Sequence, residues 1–364
     1  MTVQLLKALA KCPKTLAMDI GTGTKDVMLF SPENTIENNI KMVVPTPASL
    51  MADKIEVFSG DLRVSGYTMG GGWLAKVLKK HCKKGHKVQM ELLPAFTVRN
   101  NIEEIKESGI EIVERASNPT HFFDEIELPF YFDLLGRYGV TTREIKVIGI
   151  SVQDHGYNTN EESSRKNRFK YFLEHLNRAT VPASLVFTPE DLPEVFGRLK
   201  SGVKAVSDFD PGLKLILIDT SFSAILGCPF DPRVAAISGP VLYINYGNGH
   251  TMACVIKDGR IQAFFEHHTR LIKENPGKMF DFMKRLVEGS LSSEEVFNDE
   301  GNGCVTFEPQ QFSGISGVVV TGPRRHLMKE SGIAPFLEAA PSGDMMMTGP
   351  LGVLRGLSMR LKEF

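Results

Sequence analysis

Residues 18–30 read Met-Asp-Ile-Gly-Thr-Gly-Thr-Lys-Asp-Val-Met-Leu-Phe, and residues 244–256 read Ile-Asn-Tyr-Gly-Asn-Gly-His-Thr-Met-Ala-Cys-Val-Ile. In register, Asp19 falls on Asn245, Gly21 on Gly247 and Gly23 on Gly249, 226 positions apart. Each copy is an apolar stretch, a Gly-x-Gly turn and a second β-rich stretch, which predicts strand–turn–strand in each half of the chain. Glycines permit positive φ and let backbone N–H groups approach an anion closely. The hydroxyls of Thr22, Thr24 and Thr251 add donors, and Asn248 and His250 stand in the second turn. An acid at a strand end, here Asp19, can hold a hydrated Mg²⁺ that itself contacts phosphate. A single Gly-x-Gly is an ordinary hairpin turn. Two at matching positions suggest a pair of hairpins gripping a polyphosphate from opposite sides.

The rest of the chain sets the frame for that pair. A length of 364 residues suggests about two domains. Lys plus Arg is 42 and Asp plus Glu is 43, a net charge of −1. That balance argues against nucleic-acid or anionic-membrane partners and leaves a local phosphate site open. Cys12, Cys82, Cys228, Cys254 and Cys304 are odd in number, widely spaced and free of any C-x-x-C. This suits a reducing, cytoplasmic setting and speaks against a cysteine-held iron–sulfur cluster. Lys7, Lys11 and Lys14 interrupt the early apolar cluster, so no signal peptide is expected. No apolar run approaches the length of a membrane span.

Strand and helix patterns alternate, giving an α/β class. A hairpin is expected at 55–67 around Ser59-Gly60-Asp61. Gly70-Gly71-Gly72 opens a helix, either as a flexible joint or as amide donors for an anionic substrate. Residues 145–152 form a buried strand, and a helix runs from about Ser164 to Arg178. Thr188-Pro189-Glu190-Asp191 has the composition of a helix start. The segment LILID ends at Asp219, and Lys257-Asp258-Gly259-Arg260 signals a two-strand hairpin. Val318–Val320 forms a strand running into Thr321-Gly322-Pro323.

This ordered set resembles the superfamily of actin, sugar kinases and the heat-shock-seventy ATPases, in which two ribonuclease-H-like domains clamp ATP. The resemblance implies that residues 19–24 and 245–251 are the two phosphate loops and that Gly322-Pro323 belongs to the adenosine loop. It further implies an N-terminal domain over 1–210 with an insertion at about 31–144, and a C-terminal domain over 211–364. The segment 148–156, IGISVQDHG, resembles the substrate segment of the sugar kinases, and Asp219 with 223–227 resembles the segment carrying their general base. Where Asp26 stands, sugar kinases usually carry a basic residue. Where Asn245 stands, many ATPase members carry Asp, and Asn cannot supply a carboxylate to Mg²⁺ or water. The chain is also similar to a prokaryotic family of that clan, some members of which are labelled pyruvate formate-lyase activating enzyme. That label implies a cysteine-held cluster, for which these cysteines are poorly spaced.

The resemblance implies an ATP- and Mg²⁺-using protein acting on a small-molecule substrate, with phosphoryl transfer expected first. Candidate catalytic residues are Asp219, Asp19 and Asp154, and Gln153, Asp154 and His155 are candidate substrate contacts. Each has a structural alternative: Asp219 as a helix cap, Asp19 as a turn stabiliser, residues 153–155 as a polar cap of the next element. Glu266-His267-His268 alternates along a strand, so its two imidazoles face opposite ways, with a surface position expected. Rival readings are a nucleotide-gated binding protein with little turnover and an ATP-driven activator. A homodimer is possible, with HFFDEIELPFYF at 121–132 as a candidate contact, lid or core loop.

Overall fold

The computed structural model describes residues 3–156 and 164–364. In chain order its strands are β1 (Thr15–Ile20), β2 (Thr24–Phe30), β3 (Ile40–Pro45), β4 (Leu62–Gly66), β5 (Val88–Glu91), β6 (Ile110–Val113), β7 (His121–Phe123), β8 (Val147–Val152), β9 (Val186–Phe187) and β10 (Lys214–Asp219). The second half adds β11 (Val241–Tyr246), β12 (His250–Lys257), β13 (Arg260–His268), β14 (Gly303–Thr306), β15 (Gly317–Thr321) and β16 (Leu337–Glu338). The helices needed below are α1 (Pro47–Val57), α2 (Gly72–Lys83), α3 (Leu128–Arg137), α4 (Ser164–Arg178), α5 (Gly197–Phe209), α6 (Thr220–Gly227), α7 (Lys278–Glu288) and α8 (Thr348–Met359).

Two sheets repeat one plan. The first has the order β3-β2-β1-β8-β10-β9 and the second β14-β13-β12-β11-β15-β16. In each, an antiparallel three-strand meander is followed by two strands parallel to its first member: β8 and β10 beside β1, β15 and β16 beside β11. This is the ribonuclease-H-like order, present twice, and the fold is that of the actin-like ATPases. Every residue of β1, β8 and β11 is buried, as strands covered on both faces require.

The helix after each fifth strand closes the space between the sheets. An ideal Cβ on Gly352 of α8 would lie 1.7 Å from the Ser223 carbonyl oxygen of α6, and one on Gly227 1.8 Å from that of Thr348. Only glycine permits this backbone-to-backbone crossing. One apolar cluster, with Met28 and Ile218 from the first sheet and Val241 and Phe264 from the second, is common to both halves. Separate clusters cover the outer faces, α3 and α5 on the first sheet and α7 on the second.

The insertion folds as a third, wholly parallel sheet, β6-β5-β4-β7, with its own core. Several expectations are corrected here. β10 pairs in parallel with β8, so the strand ending at Asp219 belongs to the first domain and the boundary at 210 lies too early. β3 is paired to β2 and α3 packs on the first sheet, so the insertion spans about 46–126 instead of 31–144. The expected hairpin at 55–67 is the end of α1 followed by β4, because Ala48, Ala52 and Ile55 recur at helical spacing and are buried together. No helix starts at Thr188: the Asp191 carboxylate accepts from the Thr188 amide, and Pro193 disfavours a helical Leu192.

Candidate functional site

The duplicated turns are built alike. The Gly21 amide donates to the Thr24 carbonyl at 2.9 Å and the Gly247 amide to the His250 carbonyl at 3.0 Å. The Gly23 carbonyl accepts from the Thr46 amide and the Gly249 carbonyl from the Thr269 amide, so each tip is pinned by the residue following its third strand. The tips meet reciprocally. A Cβ on Gly23 would lie 2.4 Å from Asn248 Nδ2, and one on Gly249 3.0 Å from Thr22 Oγ1. Long-range packing thus brings the two copies of the motif face to face.

Beside this contact lies a cavity of about 930 Å³. Ile20–Thr22 and Asn245 with 247–250 form two walls, residues 153–156 at the end of β8 and Thr220–Ser221 the floor, and the insertion the remaining side. The carboxyl ends of parallel strands and the start of α6 therefore converge on it, as the general rule for open α/β sheets predicts. Thr24, Thr251, Gly322 and Pro323 stand outside the lining. Thr24 closes its turn through its carbonyl, and Thr251 shares a buried hydroxyl contact with Thr269 at 3.0 Å. Gly322 is buried, its amide against the Met345 sulfur at 3.2 Å, and Pro323 is exposed. The Gly322 amide, expected in the adenosine loop, thus meets the Met345 sulfur.

Asp19 sits just behind the wall. Its carboxylate accepts from Ser151 Oγ, and burial raises its pKa to about 6. Asp26 is its cross-strand partner. Asp26 Oδ1 is buried without a hydrogen-bond partner, and burial, then the nearby Asp19, push its pKa to about 8. Lys25, on the other face of β2, donates to the Ile126 carbonyl and Glu127.

Asp219 does not stand free. Arg168, fully buried, donates Nη1 to Asp219 Oδ2 at 2.7 Å and Nη2 to Oδ1 at 2.9 Å. The same guanidinium holds Glu266 through Nε at 2.9 Å and Nη2 at 3.0 Å, and gives Nη1 to the Asp154 carbonyl. Asp219 also caps α6 through the Ser221 amide. Asp219, expected as a general base or a helix cap, thus caps α6 and is tied through Arg168 to Glu266 of the second domain. Asp154 is likewise occupied: Oδ1 accepts from the Gly156 amide and Oδ2 from the Leu199 amide, both at 2.9 Å.

Three imidazoles share the cleft. Gln153 Nε2 lies 2.7 Å from His250 Nδ1, linking the domains. The His250 ring is 4.4 Å from His268 and 5.9 Å from His155. His155 Nδ1 and His250 Nε2 are buried without partners. Burial holds His155 down to about 3 and His250 well below the usual imidazole range, so both are neutral. His267 and His268 do face opposite ways, but neither is at the surface. His267 is buried with Nε2 3.0 Å from Asp299, and His268 lines the cavity. Sequence reasoning missed Arg168 and expected Glu266 at the surface, where it is buried; the acid in the apolar run Phe264-Phe265-Glu266 was the available signal.

The cysteines are dispersed, and burial raises the thiol pKa of all five. Among the described residues no group of three or more His, Cys, Asp or Glu side chains could hold a metal ion, and no helix is long and apolar enough to cross a membrane.

With this geometry in hand, comparison places the chain. Residues 69–327 match the family described as "Putative pyruvate format-lyase activating enzyme (DUF1786)", and the chain belongs to that family. No curated protein matches. Among solved structures it is similar to an inorganic polyphosphate/ATP-glucomannokinase from Arthrobacter sp. strain KM, at 11% identity over 96% of this chain and 100% of that one, TM-score 0.35. It is also similar to the activator of 2-hydroxyisocaproyl-CoA dehydratase from Clostridium difficile, at 11% identity over 96% of each chain, TM-score 0.33. A ROK hexokinase from Thermus thermophilus shows 12% identity over 96% of this chain and 99% of that one, TM-score 0.34. The repeated strand order, and not these likenesses, carries the fold.

Proposed function

We propose that this protein binds Mg·ATP between its two glycine turns and transfers a phosphoryl group to a small polar molecule in the adjoining cavity. The observation that carries the reading is the reciprocal meeting of Thr22 and Gly23 with Gly249 and Asn248, which sets two glycine turns against each other beside a cavity about 930 Å³ in volume. In phosphoryl transfer, positioning and charge neutralisation supply most of the catalysis.

The residues present suit a magnesium ion. Asp19 and Asp26 are crowded carboxyls, one with an orphaned buried oxygen, and a divalent cation would relieve the cost of ionising both. Asp19 would hold the ion through water, with Asp26 behind it. When bound, the ion neutralises charge on the transferring phosphate. Amides of Thr22, Asn248 and Gly249 would hold phosphate oxygens, with the Asn248 and His250 side chains as further donors. Proton uptake from the acceptor falls to the neutral imidazole of His155, or to Asp219 once Arg168 releases it.

A second reading is favoured by Asn245 and by the Arg168 tie: a nucleotide-gated protein that opens and closes with little turnover. The activator reading rests on the family description alone. The test is calorimetric ATP binding, followed by ADP release with a panel of polyols, sugars and small acids. ATP binding with no release for any acceptor sinks the transferase and leaves the gated reading; no ATP binding sinks both.

A further inference from the structure

The two halves share a core that resists their moving against each other. α4 of the first domain stacks Phe169 on Phe264 of β13, with ring centroids 5.4 Å apart. The Thr180 carbonyl beyond it accepts from the Ile261 amide at 2.6 Å, and Arg168 is buried on Glu266. Displacing one half would pull this close-packed cluster apart. The insertion is joined differently. It has an apolar cluster of its own, and polar contacts fasten it to α5. Tyr67 Oη donates to Asp208 at 2.9 Å, the Thr68 amide donates to Ser201 Oγ at 2.8 Å, and Arg198 holds Glu125 through two hydrogen bonds. The cavity separates its Gly70–Trp73 wall from Asn245, residues 247–250 and His268 of the second domain.

The chain enters and leaves the insertion at two short crossings, and both are fastened to the first glycine turn and the start of β2. On the way in, Thr46 lies between Pro45 and Pro47 with φ −61° and ψ 137°, and its amide donates to the Gly23 carbonyl at 3.2 Å. On the way out, Asp124 Oδ1 accepts from the Ile126 and Glu127 amides. Glu127 takes a left-handed φ of +54°, which a residue with a side chain seldom adopts. Buried Lys25 clamps that turn through the Ile126 carbonyl at 2.8 Å and Glu127 at 3.1 Å. A hinge needs a few residues at element ends that can absorb a change in φ and ψ. Both crossings supply them, and both are bonded to residues 23–25, so a displacement of the glycine turn reaches the two at once.

We propose that residues 46–126 form a lid that swings on these two crossings and closes over the cavity when a nucleoside triphosphate occupies the first glycine turn. The trigger rests on nucleotide binding as proposed above; the hinged lid itself does not, and neither needs phosphoryl transfer. Trp73, the single tryptophan of the chain, stands on the lid's cavity wall at 47% exposure and reports closure by its fluorescence. The test uses the full chain with Mg²⁺ and β,γ-imido-ATP, with calorimetry in parallel to read binding by itself. Acrylamide quenching of Trp73 should fall by about twofold or more on binding. Thr46→Pro deletes the amide bonded to Gly23 at a φ that suits proline, so the glycine turns persist. It should bind the analogue within about tenfold of the parent and lose the fall in quenching. Thr46→Ala keeps the amide and should close as the parent does. Analogue binding with quenching unchanged in the parent overturns the lid and leaves the nucleotide reading standing. Shielding that persists in Thr46→Pro also overturns it, because the ligand itself would then cover Trp73. If no nucleotide binds, the nucleotide reading and the trigger fall together, and hydrogen exchange of the free protein decides the lid. The Thr46 and Thr68 amides, which bridge to the first domain, should then exchange about tenfold or more faster than those of β1, β4 and β5. Equal protection overturns the lid.

Discussion

Arg168 is the residue whose removal tests most of this reasoning. Its guanidinium makes six hydrogen bonds, three to Glu266 of the second domain, two to Asp219 of the first and one to the Asp154 carbonyl. Arg168 and Glu266 side chains are 0% exposed and Asp219 7%. Arg168→Met keeps the bulk of the stem and deletes the charge, leaving two buried carboxylates facing each other across the domain boundary. Breaking one buried ion pair costs about 3–5 kcal/mol. Two acids share this cation, but one can take up a proton, so that range is a fair expectation for the whole loss. Urea unfolding followed by circular dichroism at pH 7 reads it as a lowered midpoint, and small-angle scattering reads whether the cleft opens. The triple variant R168M/D219N/E266Q should recover most of the stability, because neutral amides remove the stranded charges. A cost below about 1 kcal/mol for Arg168→Met, or a triple variant no better than the single one, would refute the assignment of this cluster as the interdomain tie.

Asp26 gives a pH test. Its pKa rises from about 3.9 unfolded to about 8 folded, so the native state binds the extra proton and stability falls as pH rises between those values. Without divalent cations the parent should lose about 2–3 kcal/mol from this group between pH 5 and pH 7, and Asp26→Asn should abolish that slope; equal slopes in urea titrations would count against it. Gly349→Ala places a Cβ 2.0 Å from Asp19 Oδ2, so it should cost about 1–3 kcal/mol in thermal unfolding and weaken ATP together with Mg²⁺ in calorimetry. Asn245→Asp restores a carboxylate to the second turn and should raise acceptor-independent ADP release; an unchanged rate argues against water being positioned there.

The sequence was legible where structure is local. Both hairpins, the buried strand 147–152 and the helix 164–178 follow from runs of apolar residues and turn glycines that act within a few positions. The insertion was opaque because its strands are three to five residues long and only partly buried, so their alternation is weak, and the end of the helix 47–57 falls inside the hairpin expected at 55–67. Arg168 was invisible because it lies next to the apolar stripe of Phe169 and Phe172, where a charge reads as solvent-facing. Its partners stand 51 and 98 residues away in sequence.

The sequence alone determined that the chain carries two copies of one glycine turn in an α/β frame, because φ freedom and apolar periodicity are properties of the residues themselves. Tertiary structure decided what those turns confront. It set Gly23 against Asn248 and Gly249 against Thr22, and it placed the Met345 sulfur on the Gly322 amide. It also spent Asp219 and Asp154 on Arg168 and on backbone amides, while leaving His155 and His250 with unpaired nitrogens. Whether an ionisable group is free to act depends on which charges and amides burial brings within a few ångströms, and at contour separations of 50 to 230 residues only the packed fold fixes that.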